Sequence, residues 1–184
     1  NLFKTINNNM SLLNAHKKSM KLMGNHFEIT AVGITEKWAH EKIDLGVREI
    51  QRIESLLTTY HPDSETNLIN AQAGIAPVKV SAEIIQLIER SIRISSVTQG
   101  AFDISYGSVD NSLWNFDTTM TQLPDPAIAK QRVRLINYKN IVINKEASTV
   151  YLREKGMRIG FGGIGKGYAA EMAKKVMIEA GVES

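Results

Sequence analysis

Met157-Arg158-Ile159-Gly160-Phe161-Gly162-Gly163-Ile164-Gly165-Lys166-Gly167-Tyr168-Ala169-Ala170 carries more structural information than any other stretch of the chain. The triplet 157–159 reads as a short strand. The glycines form a loop, and the periodicity predicts a helix from about Tyr168 to Glu179, closed by Gly181. In such a loop backbone N–H groups can face an anion. Glycines allow close approach and positive φ, and the following helix N-terminus adds a favourable dipole. Three readings stand at this point. Gly160, Gly162 and Gly165 satisfy G-x-G-x-x-G, but a dinucleotide fingerprint belongs to a βαβ unit with an acidic ribose ligand some 20 residues on. Gly160 through Lys166 satisfies a P-loop except that Gly167 stands where a metal-binding Ser or Thr is needed. The third reading is a tight strand-to-helix turn with glycines for packing alone.

Working outward, Ile141–Ile143 and Val150–Leu152 flank a polar turn and read as a hairpin, so the strands before the loop are antiparallel. Asp125-Pro126 reads as N-cap and first position of a short helix ending near Leu135. Pro77–Val80 is a short strand. Ser81 is the N-cap of a helix carrying Ile84, Leu87, Ile88 and Ile92, with Gly100 expected at C′. Ala39, Ile43, Val47, Ile50, Ile53 and Leu57 recur at three and four, which predicts an amphipathic helix from Glu36 to about Leu57. Pro62 ends that pattern by pushing His61 out of helical geometry. Met20–Ile34, with Phe27, Ile29 and Val32, reads as strands in a hairpin. Residues 1–18 are polar and read as an irregular arm or short helix. Strands and helices mix without a βαβ rhythm, so the expected class is α+β with mixed or antiparallel sheets and packed helices. The expected organisation is an arm over 1–18 and one domain over 19–184.

The 184 residues are 43% hydrophobic and 22% charged, ordinary globular composition. Net charge is +3, and the cationic residues are scattered, against a nucleic-acid-binding face. There is no cysteine, which excludes disulfides, thiolate metal sites and a cysteine nucleophile. No apolar run is long enough to span a bilayer. His16, His26, His40 and His61 show no metal-ligand spacing.

Four separated segments add a family resemblance. Gly162-Gly163-Ile164-Gly165-Lys166-Gly167-Tyr168-Ala169 resembles the G-G-[IL]-[AG]-K-G-[YW]-A signature of FAD:protein FMN transferases of the ApbE type. Leu22-Met23-Gly24 resembles that family's M-G-[ST] strand. Ser55–Glu65 with Leu68 and Asn70 resembles its S-x-[YF]-x-x-[DN]-S-E segment. Thr98-Gln99-Gly100-Ala101-Phe102-Asp103-Ile104, trailed by Leu113-Trp114, resembles its T-x-G-A-F-D motif. The likeness runs from about Met20 to Val182.

The resemblance implies an ApbE-like fold and a Mg2+-dependent transfer of FMN from FAD to a threonine hydroxyl of an acceptor flavoprotein, with AMP leaving. It places Met23, Tyr60, Ala101, Phe102, Asp103, Gly160 and Lys166 at FAD contacts and the Gly163 carbonyl on Mg2+. It names no general base. The family often has Asp at the position of Gly160, and Asn25 replaces its Thr or Ser. It also implies a longer protein, whose further segment carries an Asp and a Thr or Ala carbonyl completing the Mg2+ shell. The expectation is therefore that these residues are the N-terminal portion, inactive alone. A cell-envelope or periplasmic site is implied too, with anchoring through a removed N-terminal segment. The alternatives are a non-catalytic flavin-binding or structural remnant, and a nucleotide hydrolase using the near-P-loop. By side-chain chemistry alone, Tyr60 could stack on a planar ring or plug a core edge. Asp103 could accept from a ligand or cap nearby backbone. Met23 could pack on a ring or in the core, and Lys166 could meet pyrophosphate or solvent.

Overall fold

The computed structural model describes residues 13–109 and 125–183. They fall into two compact units. The first comprises the described residues of Asn1–Ser55 and Ile164–Ser184, and the second is Leu56–Gly163.

In the first unit β1 (Asn14–Leu22) and β2 (Asn25–Gly33) form an antiparallel hairpin, paired from Asn14↔Gly33 to Leu22↔Asn25. Met23 and Gly24 make the two-residue turn with φ of 51° and 68°, the doubly left-handed pattern that suits strand twist. Residues 14–18, expected in an irregular arm, are extended. β1 has no clean alternation of its own and is ordered by its partners: backbone pairing with β2, the Lys17–Glu28 ion pair at 3.0 Å, and a Lys18–Asp44 ion pair. The Lys18 hydrogen bond holds the exposed Asp44 carboxyl below its ordinary value. That contribution is present at neutral pH and is lost as pH falls through the lowered pKa. Residues 1–12 of the expected arm lie outside the described residues.

α1 runs from Glu36 to Leu57, as the periodicity predicts, and Ala39, Ile43, Ile50, Ile53 and Leu57 are buried. α5 (Gly165–Glu179) completes this unit. Ala31, Ala39, Ile43, Met177 and Val182 form its core, with Ile29, Trp38 and Val47 against them. Gly46 permits close helix approach: a Cβ there would sit 2.9 Å from Met177 Sδ and 3.5 Å from Ala173 Cβ. α5 begins at Gly165, three residues before the position expected from its first aromatic residue, because glycines score poorly as helix formers. It ends in a Schellman motif. Gly181 (φ 94°) donates to Ile178 C=O and Val182 to Met177 C=O.

The second unit opens with α2 (Glu65–Ala71), a short helix capped by Ser64, whose Oγ accepts from Asn67 N–H. β3 (Val78–Lys79), β4 (Ile141–Asn144) and β5 (Thr149–Leu152) form an antiparallel sheet in the order β3-β5-β4. The 141–152 hairpin has the expected strands. α3 (Ala82–Val97) is capped by Ser81 as expected, and α4 (Pro126–Val133) by Asp125, which accepts from Ala127 and Ile128 N–H. Short 3-10 turns cover Ile104–Ser108 and Tyr138–Asn140. α2 packs on β5, and α3 on both 3-10 turns. Ile69, Ile84, Ile88, Ile104, Val150, Leu152, Met157 and Ile159 are fully buried. Leu113 and Trp114 lie outside the described residues.

Two segments differ from the sequence expectation. Met157–Ile159 is not a sheet strand, because side chains supply the partners that a neighbouring strand would give. Gly100 is not at C′ of α3. Gln99 holds that left-handed position (φ 53°) and donates to Ser96 C=O, while Gly100 at C″ donates to Ser95 C=O. A side chain at φ > 0 costs ~1–2 kcal/mol, of which glycine's extra unfolded-state entropy offsets ~0.4–1. Gln99→Gly is therefore expected to stabilise the protein by about 0.5 kcal/mol in urea unfolding. Gly74→Ala is expected to destabilise it by at least ~1 kcal/mol. Gly74 has φ 73°, and a Cβ there would lie 2.6 Å from Lys155 N.

Candidate functional site

The second unit brings the Phe102 segment onto the glycine loop. Thr98, at the C-cap of α3, donates its hydroxyl to Ile94 C=O (2.8 Å) and accepts the Phe102 N–H (3.1 Å). Ala101 N–H donates to Thr98 C=O at 3.0 Å. These bonds turn the chain back at 99–101 and fix the direction in which Phe102 leaves the helix. Its ring lies on Gly163: a Cβ at Gly163 would sit 2.9 Å from Phe102 Cε2. A Cβ at Gly162 would likewise lie 2.9 Å from the Tyr106 hydroxyl oxygen. Gly162 and Gly163 are thus explained by two aromatic side chains. Gly160, Gly162, Gly163 and Gly167 all have φ outside the left-handed region, so the loop uses close approach and not positive φ at these positions. Gly160 has open space where a Cβ would go, and its N–H donates to Ile104 C=O at 2.8 Å.

Asp103 serves the backbone. Oδ1 accepts from Ser105 N–H (2.8 Å) and Ser105 Oγ–H (2.6 Å), and Oδ2 from Tyr138 N–H (2.9 Å). Ser105 Oγ in turn accepts from Asn137 N–H at 2.8 Å. The carboxylate ties the first 3-10 turn to the second, which is the capping alternative read from the sequence. Beside it opens a cleft of about 440 Å3, lined among others by Gln99, Asp103, Asn137, Tyr138 and Lys139. Tyr60, Phe102, Gly160 and Gly163 do not line it.

Tyr60 stands on a braced loop. Asn67 Nδ2 donates to Thr59 and His61 C=O, both at 2.8 Å, and Ser64 Oγ donates to Thr58 C=O at 2.6 Å. The backbone is held, yet the Tyr60 side chain is 94% exposed, so it does not plug a core edge. Met23 and Lys166 belong to the first unit. Met23 sits half-buried at the hairpin turn with its backbone in the left-handed region, and Lys166 is exposed at the second residue of α5. The N-cap of that helix, Ile164, makes no side-chain cap, and a cation in a first turn is disfavoured by the dipole unless an anion offsets it.

Residue type alone does not point to Ser105, Tyr106 and Ser108, whose roles depend on distant partners, and Thr98 stands in the sequence only as a motif letter. Asn70 was visible only as the last letter of a motif. Among the described residues there is no group of three or more His, Asp or Glu able to hold a metal ion. Mg2+ takes about six oxygens. The Gly163 carbonyl would supply one, so the described residues do not by themselves fit the ion.

Residues 23–184 match the model of the ApbE family. An FAD:protein FMN transferase of Klebsiella pneumoniae is 31% identical over 134 residues, covering 73% of this chain and 42% of that protein. One from Treponema pallidum is 29% identical over 140 residues, covering 73% and 38%. Among solved structures, the flavin transferase ApbE from Vibrio cholerae superposes with a TM-score of 0.80 at 20% identity, over 94% of this chain and 56% of that one. The ApbE protein from Thermotoga maritima gives 0.77 at 23% identity, over 90% and 53%. The chain therefore belongs to the ApbE family, and its α+β fold is the fold of those structures. It spans about half the length of the curated relatives it matches.

The glycine loop supplies a direct contrast. Gly163→Ala is expected to push the Phe102 ring and cost about 1 kcal/mol, whereas Gly160→Ala is expected to be neutral or stabilising by up to ~1 kcal/mol. Urea unfolding midpoints of the two variants check this.

Proposed function

We infer that this chain forms part of an FAD:protein FMN transferase and contributes contacts to FAD. The observation that carries the reading is the stacking of Phe102 on Gly163, in the same unit as a braced and exposed Tyr60. An aromatic ring held out on a rigid loop offers a planar face at little conformational cost. The relatives' names give transfer of FMN from FAD to a protein, and the threonine acceptor and AMP leaving group follow from the family resemblance. In that chemistry a threonine hydroxyl of an acceptor flavoprotein attacks the FMN phosphorus of FAD. The new O–P bond replaces the pyrophosphate P–O bond, the hydroxyl proton is released, and AMP departs. Rate enhancement in such a transfer comes from alignment and charge neutralisation. Tyr60 and the backbone at 101–103, which lie in one unit, would align the dinucleotide. Mg2+ belongs to the reaction by family likeness. Its oxygen shell needs groups beyond those described. The cell envelope is the proposed site of action, on the same likeness.

The test is an FAD titration of the chain followed by flavin fluorescence. Saturable binding is expected, and Tyr60→Ala is expected to weaken it roughly five- to tenfold, about 1 kcal/mol. Unchanged affinity would remove Tyr60 from the site, and no binding by the unsubstituted chain would remove the flavin reading.

A further inference from the structure

The three residues entering the glycine loop take their backbone partners from outside any sheet. Arg158 N–H donates to Ser108 Oγ (2.9 Å), and the Ser108 hydroxyl donates to Arg158 C=O (3.1 Å). Ile159 N–H donates to Asn70 Oδ1 (2.7 Å), and Asn70 Nδ2 donates to Ile159 C=O (3.0 Å). Gly160 N–H donates to Ile104 C=O (2.8 Å). Both side chains are buried, Asn70 at 7% and Ser108 at 2% exposure. Each gives and takes a bond with one residue of this segment, the reciprocal pairing a neighbouring antiparallel strand provides, and the Ser108 hydroxyl also lies 3.4 Å from Leu135 C=O. A real strand would continue its ladder into the loop. Two side chains instead fix two peptide units and stop, and among the described residues the N–H groups of Phe161, Gly162 and Gly163 form no backbone bond.

We propose that Asn70 and Ser108 are positioning residues that set the glycine loop for its ligand. Asn70 is the penultimate residue of α2, which follows the Tyr60 loop, and Ser108 ends the 3-10 turn that follows Phe102 and Asp103. Their bonds lock the spacing of three segments that no continuous sheet connects. That the ligand is FAD rests on the function inferred above. The clamp itself rests on the hydrogen bonds alone.

The experiment compares Asn70→Asp and Ser108→Ala with Ser91→Ala in the 184-residue chain. Asp keeps the acceptor for Ile159 N–H but sets a carboxylate against Ile159 C=O. Ser108→Ala frees both Arg158 groups. Ser91 is an equally buried serine, bonded to Leu87 C=O at 2.7 Å within α3, and serves as the matched destabilised control. Amide hydrogen exchange and FAD affinity are read at a temperature where circular dichroism shows all variants folded. The first two variants are expected to exchange at least tenfold faster over 158–163 and to bind FAD at least fivefold more weakly, with neither change in Ser91→Ala. Unchanged exchange over 158–163, or equal loss of affinity in the control, overturns the proposal. So does faster exchange with unaltered affinity. If the unsubstituted chain binds no FAD, the flavin reading falls, and the exchange data alone uphold or overturn the clamp.

Discussion

Asn70 gives its amide nitrogen to the Ile159 carbonyl and takes the Ile159 N–H on its oxygen, 89 positions away in sequence. Ile159 is fully buried, so these backbone groups have no water to turn to. Leaving either unpaired costs about 1–3 kcal/mol, well above the net worth of an ordinary hydrogen bond. The constraint therefore works mainly by penalty: moving Ile159 away from Asn70 would strand two polar groups in the core. The other contacts in this unit follow from it. Gly160 reaches Ile104, Gly163 passes under Phe102, and Gly162 passes under Tyr106.

A second layer of polar bonds ties the neighbouring segments together. Asp103 and Ser105 bind the backbone of 137–138, and Ser108 binds Arg158. The residues involved are serines, an aspartate and an asparagine with short side chains, which lose little rotamer entropy on ordering. Buried networks of this kind stabilise when complete, and no buried side-chain nitrogen or oxygen among the described residues lacks a partner.

Much of the fold was legible where one local rule applied. The six apolar positions of α1, the Ser81 and Asp125 caps, and the 141–152 hairpin each state their structure within a few residues. Legibility failed where the deciding partner was remote. Met157–Ile159 has strand-like alternation, but Asn70 and Ser108 occupy the strand's place. β1 shows no alternation, yet nine residues of β2 order it. α5 begins among glycines because the chain turns there, against their propensity. For the candidate site, the motif segments at Thr98–Asp103 and Gly160–Gly163 were visible in sequence, and the structure joins them through Phe102 and Gly163. Thr98, which aims that ring, was visible as a motif letter without a task. Asp103 showed the opposite: a carboxylate in a binding motif whose oxygens hold backbone.

The first unit is assembled from two stretches of chain separated by 108 residues, the whole of Leu56–Gly163. On a ribosome, the second unit emerges contiguously and can close its sheet and helices while α5 is still being synthesised. Ala31, Ala39 and Ile43 meanwhile wait for Met177 and Val182, which complete their core. A nascent chain thus carries an uncovered apolar face for the seconds needed to translate the intervening residues. Closing so long a loop has an entropic cost that grows only with the logarithm of its length. The interval is therefore one of exposure more than of thermodynamic handicap, and it marks the stage at which a holdase would have most to protect.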